Sequence, residues 1–405
     1  MKIAIITSGF LPVPATKGGA VENLTENILK ENEQYKKMKL TVFSIYEKNA
    51  IEESNKYKFT NFKFIKVNFL IKLLDKITFF IAKKILKKKN SHSYRYIFQR
   101  LSYLNQVSKK LKDGDYEKII LENHPTQYLA LKWRKNYKKY SGKYYYHCHN
   151  EYPGTYGCLD VIKNTNRIIC VSKYRLNNVK QYLNMKDENF IVLKNGINTE
   201  MFTKKITKKE KNNLKKKYNI KEDDKILLFV GRIVPEKGIK ELIKALENVK
   251  YSNYKLLILG AALNELKVKT NFEKEIEKLV KESSNKAIFT GFIKYQEIYK
   301  FYAIADIAIF PSMCDDSAPL TVVEALVSGL PIITTDSGGI PEYATDGSAI
   351  IIKRDNELIN NLSKKINELL VDTEKREKMS IIAKDVSKDL TLKNYYENFY
   401  NILKN

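Results

Sequence analysis

The sequence Asp316-Ser-Ala-Pro-Leu-Thr-Val-Val-Glu-Ala-Leu-Val-Ser-Gly-Leu-Pro331 decides the fold of this 405-residue chain. Pro319 suits the opening of a helix, because its missing N–H group would be unpaired there in any case. The apolar residues that follow indicate a buried helix, which Gly329 and Pro331 end. The stretch therefore predicts a loop, then a short buried helix that begins at Leu320.

Two carboxylates are spaced across this loop and helix. The free N–H groups of Leu320 and Thr321 would favour an anion such as a diphosphate. Glu324, about one turn further in, can accept hydrogen bonds from two vicinal hydroxyls, as on a ribose, and Asp316 can do the same for a sugar ring. An isolated pair of acids at this spacing is more often a helix cap and a solvated side chain. The neighbouring segments must decide between these interpretations.

The neighbouring segments alternate between strands and helices. Lys225-Ile-Leu-Leu-Phe-Val-Gly-Arg232 is typical of a buried strand, and Pro235-Glu-Lys-Gly238 leads from it into a helix. Further strands at 255–260, 287–293 and 306–312 complete a βαβ pattern with a parallel sheet. Arg232 and Lys237 would lie at the carboxyl end of their strand, where open α/β sheets bind ligands and where paired cations suit a diphosphate.

Together these motifs resemble the family 4 retaining glycosyltransferases. The matching segments are Val230-Gly-Arg232, Glu236-Lys-Gly238, Thr290-Gly-Phe292, Ala305-Asp-Ile-Ala-Ile-Phe-Pro-Ser312, the acid-x7-Glu pair ending at Glu324, and Gly338-Gly-Ile-Pro-Glu342. The resemblance implies an α/β protein of GT-B fold, with two Rossmann-like, doubly wound parallel-sheet domains facing a central cleft. The family pattern has Glu at the first acidic position, whereas this chain has Asp316, whose side chain is one methylene shorter.

The length and the 43% hydrophobic content agree with two globular domains. We predict an N-terminal acceptor-binding domain over residues 1–200 and a C-terminal nucleotide-sugar-binding domain over residues 201–385. A Lys-rich, weakly apolar stretch at 199–222 separates the two sheet patterns. A last helix within 386–405 carries aromatic residues at helical spacing, and the resemblance implies that it packs back on the first domain.

The first domain matches the family more sparsely. Gly18 and Gly19 follow a first strand and precede a helix, so the backbone there can approach a phosphate or sugar, although a Gly pair in a loop is more often a turn. By resemblance we take them as donor-loop residues. Similar enzymes place a His at the end of a later strand, near the donor sugar, and His149 fits that place better than His147. Asn195, at the entry to the linker, is taken as a donor-binding residue in the same way.

The resemblance also implies a mechanism. Arg232 and Lys237, with the helix N-terminus, would stabilise the charge that develops on the departing diphosphate. Glu324 would hold the ribose, and Asp316 with the backbone near Ser317 would hold the sugar. The loop at Phe292 and Ile293 would contact the base, and His149 the sugar. The predicted catalytic residues are His149, Arg232, Lys237 and Asp316; the predicted donor-binding residues are Gly18, Gly19, Asn195, Arg232, Lys237, Phe292, Ile293, Asp316, Ser317, Leu320, Thr321 and Glu324.

The expected reaction is the retaining transfer of a hexosyl group from a nucleotide-diphosphate sugar, foremost a UDP-sugar. The expected acceptor is a glycan or lipid-linked molecule in bacterial surface polysaccharide or glycoconjugate synthesis. We expect no metal and no other cofactor. Cys148 and Cys158 lie near two histidines, but their spacing matches no strong zinc pattern.

Four scattered cysteines indicate a reducing compartment. The apolar start is a short strand without a cleavage pattern, and nothing reaches the length of a membrane span, so the sequence predicts a cytoplasmic protein. Two interpretations of a basic segment at 69–112 stay open. Its first part, 69–89, has apolar residues at helical spacing among many lysines, which is typical of a helix at an anionic membrane surface, here the inner face. The alternative is an ordinary helix that packs its apolar face on the first domain.

Two other functions compete with transfer. A GT-B epimerase acting on a sugar nucleotide would need acid and base carboxylates in the first domain, for which Glu122 and Glu151 are the candidates. A nucleic-acid binder is suggested only by the net charge of +26, without a recognisable motif, so we expect no nucleic-acid partner.

Overall fold

A computed structural model describes residues 1–86, 95–261, 269–284, 286–345 and 347–404. The last part of the basic segment 69–89, from residue 87 on, and residues 90–94 of the wider segment lie outside the described residues. The chain divides into two compact units: Met1–Asn195 with Leu392–Asn405, and Gly196–Thr391. Each unit is built on one parallel sheet.

The first unit has a seven-stranded parallel sheet in the order β3-β2-β1-β4-β5-β6-β7. The order reverses between β1 and β4, which makes that junction the switch point where open α/β sheets bind ligands. The strands are β1 Lys2–Ile6, β2 Lys39–Ile45, β3 Thr60–Ile65, β4 Lys118–Glu122, β5 Tyr144–Cys148, β6 Arg167–Cys170 and β7 Phe190–Val192.

Helices connect these strands. They are α1 Ala20–Tyr35, α2 Lys48–Ser54, α3 Phe69–Phe80, α4 Ile97–Asp113, α5 Tyr128–Lys132, α6 Asn136–Lys139, α7 Leu159–Ile162 and α8 Lys173–Leu183. A π-helical turn, Ile81–Ile85, continues α3, and 3₁₀ turns lie at Pro125–Gln127, Trp133–Lys135 and Asp187–Asn189. Among the described helices of the chain, none has both the length and the apolar content needed to cross a bilayer.

The last helix of the chain belongs to the first unit. Since α18, Leu392–Lys404, packs on α1, its Tyr396 hydroxyl donates a hydrogen bond of 2.8 Å to Asn32. Glu397 forms an ion pair of 2.5 Å with Lys37, which follows α1. Of the aromatic residues whose spacing predicts the helix, Tyr395, Tyr396 and Phe399 are buried and Tyr400 is partly exposed.

The second unit has a six-stranded parallel sheet in the order β10-β9-β8-β11-β12-β13. This is the Rossmann order, and its switch point lies between β8 and β11. The strands are β8 Lys225–Val230, β9 Tyr254–Leu259, β10 Ala287–Gly291, β11 Ile307–Phe310, β12 Ile332–Thr335 and β13 Ala349–Ile352.

Helices cover both faces of this sheet. They are α9 Thr199–Thr203, α10 Lys208–Lys217, α11 Ile239–Ala245, α12 Asn271–Glu282, α13 Tyr295–Ile304, α14 Leu320–Val327, α15 Ile340–Tyr343, α16 Leu358–Val371 and α17 Thr373–Val386. 3₁₀ turns lie at Pro235–Lys237 and Leu246–Asn248. Side chains alternate across each strand, so Leu228 and Ala308 join the core on one face, and Leu227 and Ile307 the core on the other.

Candidate functional site

The predicted donor residues of the second unit gather at the switch point between β8 and β11. The loop after β8 is tied to the loop after β11, because the Met313 N–H donates to the Glu236 carbonyl at 2.9 Å. The second loop is held from below as well, since the hydroxyls of Thr335 and Ser337 donate to the Ser312 carbonyl at 2.7 and 2.9 Å. These bonds fix the two loops that carry the charged side chains.

Lys237 and Asp316 form an ion pair at this edge, with 2.5 Å between Lys237 Nζ and Asp316 Oδ2. Both side chains are about three-quarters buried. The sequence predicts separate contacts for them, a diphosphate for Lys237 and a sugar for Asp316. In the structure each is the partner of the other. Arg232 is exposed and forms no ion pair with any residue that the structure describes.

Two glycines allow these loops to approach each other closely. Gly238 has φ of +68°, and a Cβ there would lie 1.8 Å from the carbonyl oxygen of Pro311. Gly338 has φ of +59°, and a Cβ there would lie 2.4 Å from the Asp316 carbonyl oxygen, which also accepts a hydrogen bond from the Gly339 N–H at 2.7 Å. A side chain at either position would displace the loop that presents Asp316.

The helix α14 begins at Leu320, as the sequence predicts. No side chain among the described residues caps it, so the interpretation of Asp316 as its cap is wrong. Asp316 instead accepts a long hydrogen bond, 3.4 Å, from the N–H of Ala318 in the preceding loop. The first N–H groups of α14, at Leu320 and Thr321, therefore stay available, and the helix dipole favours an anion there. Ser317, beside them, is buried.

Glu324 is 3% exposed, so the alternative that it is a solvated helix residue is wrong. Its carboxylate accepts a hydrogen bond of 2.8 Å from the Tyr302 hydroxyl and another from Tyr295. Burial raises the pKa of Glu324 to about 7, although both hydrogen bonds act to lower it. A carboxylate has about four acceptor positions, so two remain for a ligand. The two tyrosines, seven residues apart on one face of α13, were not recognised from the sequence.

The predicted base-contacting residues follow β10. Phe292 is 40% exposed, whereas Ile293 packs against the core that α14 also joins. A separate cavity of about 180 Å³ lies between α11 and α12, lined by residues such as Leu246 and Lys286, and it includes none of the predicted site residues.

In the first unit, the glycine pair precedes α1. Both Gly18 and Gly19 have positive φ, 71° and 106°, and a Cβ on Gly19 would lie 2.2 Å from a carboxylate oxygen of Glu22. Glu22 is buried and accepts a hydrogen bond of 3.0 Å from the hydroxyl of Ser8, which follows β1. Burial raises the pKa of Glu22, and the negative charge of Glu122 raises it further. Ser8 and Glu22 are functional candidates that the sequence did not reveal.

Glu122, at the end of β4, joins two histidines. Its carboxylate lies 3.3 Å from His147 Nδ1 and 3.1 Å from His149 Nε2. All three side chains are at most 5% exposed. Burial acts to raise the pKa of Glu122, but the two histidines outweigh it and lower the pKa to about 2. Burial, and then repulsion by His147, lower the pKa of His149 to about 4.

His149 is thus neutral near pH 7 and donates from Nε2 to an ionised Glu122. Its other ring nitrogen, Nδ1, is buried and has no partner among the described residues, so it is left as a hydrogen-bond acceptor. The sequence predicts His149 as a sugar contact, and Glu122 is the group that orients its ring. The sequence feature that could have indicated this role is that Glu122 ends the apolar strand β4, which pairs with β5, the strand that contains His147.

Carboxylate and imidazole groups are also common metal ligands. In the described parts of the chain, Glu122, His147 and His149 place such groups close enough together to hold a metal ion. Hydrogen bonds alone explain why the Glu122 carboxylate lies next to His147 and His149. The cysteines are not members of the group: Cys148 and Cys158 are buried free thiols. Asn195, the last predicted donor residue, is buried near the end of the first unit.

The chain has two Rossmann-like units, which is the architecture of the GT-B class. In the second unit, one loop at the switch point carries Lys237 and the other carries Asp316. Residues 210–386 match the family described as Glycosyl transferases group 1. This match lies within the second unit, and the chain is similar to group 1 glycosyltransferases.

Two relatives and one solved structure show the extent of the similarity. The lipopolysaccharide 1,2-N-acetylglucosaminetransferase of Salmonella typhimurium is 29% identical over 196 residues, which is 48% of this chain and 51% of that protein. The chain thus spans about half the length of that relative. Spore coat protein SA of Bacillus subtilis is 25% identical over 94% of this chain and 92% of its own length. The Anabaena protein HepE, solved in complex with UDP and glucose, has a TM-score of 0.74 at 17% identity, over 100% of this chain and 99% of HepE, and shows the shared fold.

Proposed function

We propose that the chain transfers a hexosyl group, with retention of anomeric configuration, from a UDP-sugar to a glycan or lipid-linked acceptor in bacterial surface polysaccharide or glycoconjugate synthesis. The observation that carries the proposal is the arrangement at the β8–β11 switch point. There, Lys237, Arg232 and the uncapped start of α14 supply positive charge, and Glu324 lies one turn into the same helix.

Positive charge at this edge suits a departing diphosphate. When the bond between the anomeric carbon and the diphosphate oxygen breaks, its electron pair stays with the diphosphate, and Lys237, Arg232 and the N–H groups of α14 would stabilise that charge. The acceptor hydroxyl forms the new bond to the same carbon and gives up its proton to an oxygen of the departing diphosphate. We propose that no metal takes part, because these groups of the chain supply the positive charge.

The neutral ring of His149 fits a contact with a sugar hydroxyl. Its Nδ1 is an acceptor without a partner among the described residues, and Glu122 holds the ring from the other side. We take the donor sugar as that partner. The choice of UDP is supported by the ligand named for HepE, and the choice of a glycoconjugate acceptor by the name of the Salmonella relative.

A donor screen tests this function. UDP-, GDP- and ADP-sugars are incubated with the protein, and nucleotide release is measured with and without EDTA. We expect release from a UDP-sugar that EDTA does not change. Asp316→Ala and Glu324→Ala should lose most of the turnover. Asp315→Ala, in the same loop as Asp316, should retain it, because Asp315 pairs with Arg354, which follows β13. Unchanged turnover in the first two variants would refute the assignment.

The same screen separates transfer from epimerisation. An epimerase would invert a sugar centre without any acceptor, which NMR of the recovered donor detects. The structure disfavours this alternative, because Glu122, one of its two candidate acids, is 1% exposed and occupied by two histidines. NMR of the transfer product gives its anomeric configuration, and an inverted centre would contradict the retaining mechanism.

A lipid-linked acceptor would place the reaction at a membrane. We therefore propose that the protein works peripherally at the inner face of a bacterial membrane.

A further inference from the structure

The helix α3 and the π turn that continues it turn their apolar side to solvent. Nine of the 22 large apolar side chains exposed in the described parts of the chain lie on this segment of 18 residues, so the exposure is concentrated. They are Phe69, Leu70, Leu73, Leu74, Ile77, Phe80, Ile81, Ile85 and Leu86, between 39% and 71% exposed. We call these nine side chains the α3 surface. Their spacing of three, four and seven residues places most of them on one side of the helix.

The opposite side of α3 is the one that packs on the protein. The buried residue of α3 is Asp75, 1% exposed, and that of the π turn is Ala82, 2% exposed. Asp75 accepts hydrogen bonds of 2.9 Å from the N–H groups of Phe98 and Gln99, in the first turn of α4. The sequence left open whether the apolar face packs inward. That alternative is wrong, because the apolar side chains whose spacing predicted it are exposed.

The charges beside the α3 surface have one sign. Lys72, Lys76, Lys83 and Lys84 are all exposed, and the acid of the segment, Asp75, is buried against α4. Arg95, just before α4, is exposed as well. An apolar stripe with cations at its border fits the boundary between lipid headgroups and acyl chains, where the apolar side chains leave water and the cations meet anionic phosphates.

From this geometry we infer that the α3 surface binds the protein to a membrane that contains anionic lipids. A second copy of the chain is the competing occupant, but a self-paired α3 surface would bring the lysines of two copies together. The inference goes beyond the transfer reaction. The inference depends on exposure and charge in the first unit, whereas the proposed donor site lies in the second unit. An experiment can therefore contradict membrane binding and leave the donor site supported, or the reverse.

Vesicle sedimentation tests the inference with the full-length protein. Vesicles of phosphatidylcholine with about one-third phosphatidylglycerol are compared with pure phosphatidylcholine. We expect binding to the anionic vesicles that Lys72→Gln with Lys76→Gln weakens by about fivefold for each lysine, since a cation near an anionic surface contributes about 1 kcal/mol. Leu73→Ser with Ile77→Ser should weaken it by about tenfold for each side chain.

Matched variants control for net charge and exposed apolar area. Lys209→Gln with Lys211→Gln removes two exposed lysines from α10, a basic helix in the second unit, and Ile381→Ser removes a side chain of α17 that is 68% exposed. Both controls should bind vesicles as the wild type does. All variants should keep the wild-type unfolding temperature and affinity for UDP, because the altered side chains are exposed and lie outside the donor residues.

Three results would overturn the inference. The first is no preference for anionic over neutral vesicles. The second is an equal loss in the α10 variant, which would show that net charge alone binds the vesicles. The third is a wild-type dimer in light scattering that Leu73→Ser with Ile77→Ser converts to a monomer, with vesicle binding unchanged, which would assign the α3 surface to a second copy.

Discussion

Replacing Glu324 by Gln should make the second unit more stable in mild alkali. The folded carboxyl holds its proton to about pH 7, whereas the unfolded one releases it near 4.5. Because the folded-state pKa is raised, stability is lost as the pH rises from 4.5 to about 7, and the loss is constant above that range. A shift of this size corresponds to about 3 kcal/mol at full ionisation. Burial is the main cause, so solvent screening does not reduce this figure.

The measurable quantity is the difference between two pH values. Between about pH 5.5 and about pH 8.5 the wild type should lose roughly 2 kcal/mol of folding free energy that Glu324→Gln does not lose. Urea unfolding followed by far-UV circular dichroism gives both values. Glu297→Gln, at an exposed acid on α13, is the matched control and should keep the wild-type pH dependence. An identical pH dependence in Glu324→Gln and the wild type would refute the reasoning.

The same variant tests the ribose contact. If Glu324 holds ribose hydroxyls, exchanging its charge for an amide removes charge-assisted hydrogen bonds, and UDP affinity should fall by roughly tenfold. Titration calorimetry at about pH 8.5 measures the loss. If the variant is more stable but binds UDP as tightly as the wild type, the raised pKa of Glu324 is supported. The assignment of Glu324 as the ribose contact is then contradicted.

Three further substitutions test the loops and the histidine cluster. Asp316→Asn should bind UDP about fivefold more tightly in calorimetry, because Lys237 loses a partner that competes with the diphosphate; weaker binding would contradict this. Glu122→Ala should lower the folding free energy by about 3 kcal/mol in urea titrations, because two buried histidines lose their acceptor, and an unchanged midpoint would contradict it. Gly238→Ala should destabilise far more than Gly142→Ala, which shares φ of +68° but has open space at Cβ; equal losses would show that the close approach costs nothing.

The sequence predicted the parts of the site that local patterns determine. The start of α14 at Leu320 follows from Pro319 and the apolar run after it, and the strand at β8 follows from an apolar run that ends at Gly231. Both signals lie within a few residues of the element that they predict. The order of strands along the chain then places the loop with Lys237 and the loop with Asp316 at the same edge, as the βαβ pattern implies.

The partners of the site residues could not be predicted in the same way. Lys237 and Asp316 are 79 residues apart, Tyr302 and Glu324 are 22 apart, and Glu122 and His149 are 27 apart. Each pair depends on how two separate elements are positioned, and a single sequence contains no signal for that. The consequence is chemical: the sequence indicated a lysine for the diphosphate, and the structure pairs that lysine with the carboxylate of Asp316.

The direction of the apolar face of α3 could not be predicted from the sequence for a similar reason. The free energies of capping and of apolar burial show why this direction matters. Amphipathic spacing predicts that one face is apolar, but the direction of that face depends on what lies beneath the helix. Here it is α4, which begins at Ile97 without a side-chain cap of its own and takes its cap from Asp75. Such a cap is worth about 1 kcal/mol. Full burial of a single Leu or Phe side chain is worth about 1.5–3 kcal/mol, and the α3 surface leaves nine apolar side chains in water. The cap alone therefore does not offset the exposed apolar area, whereas a bilayer that covers the α3 surface would offset it.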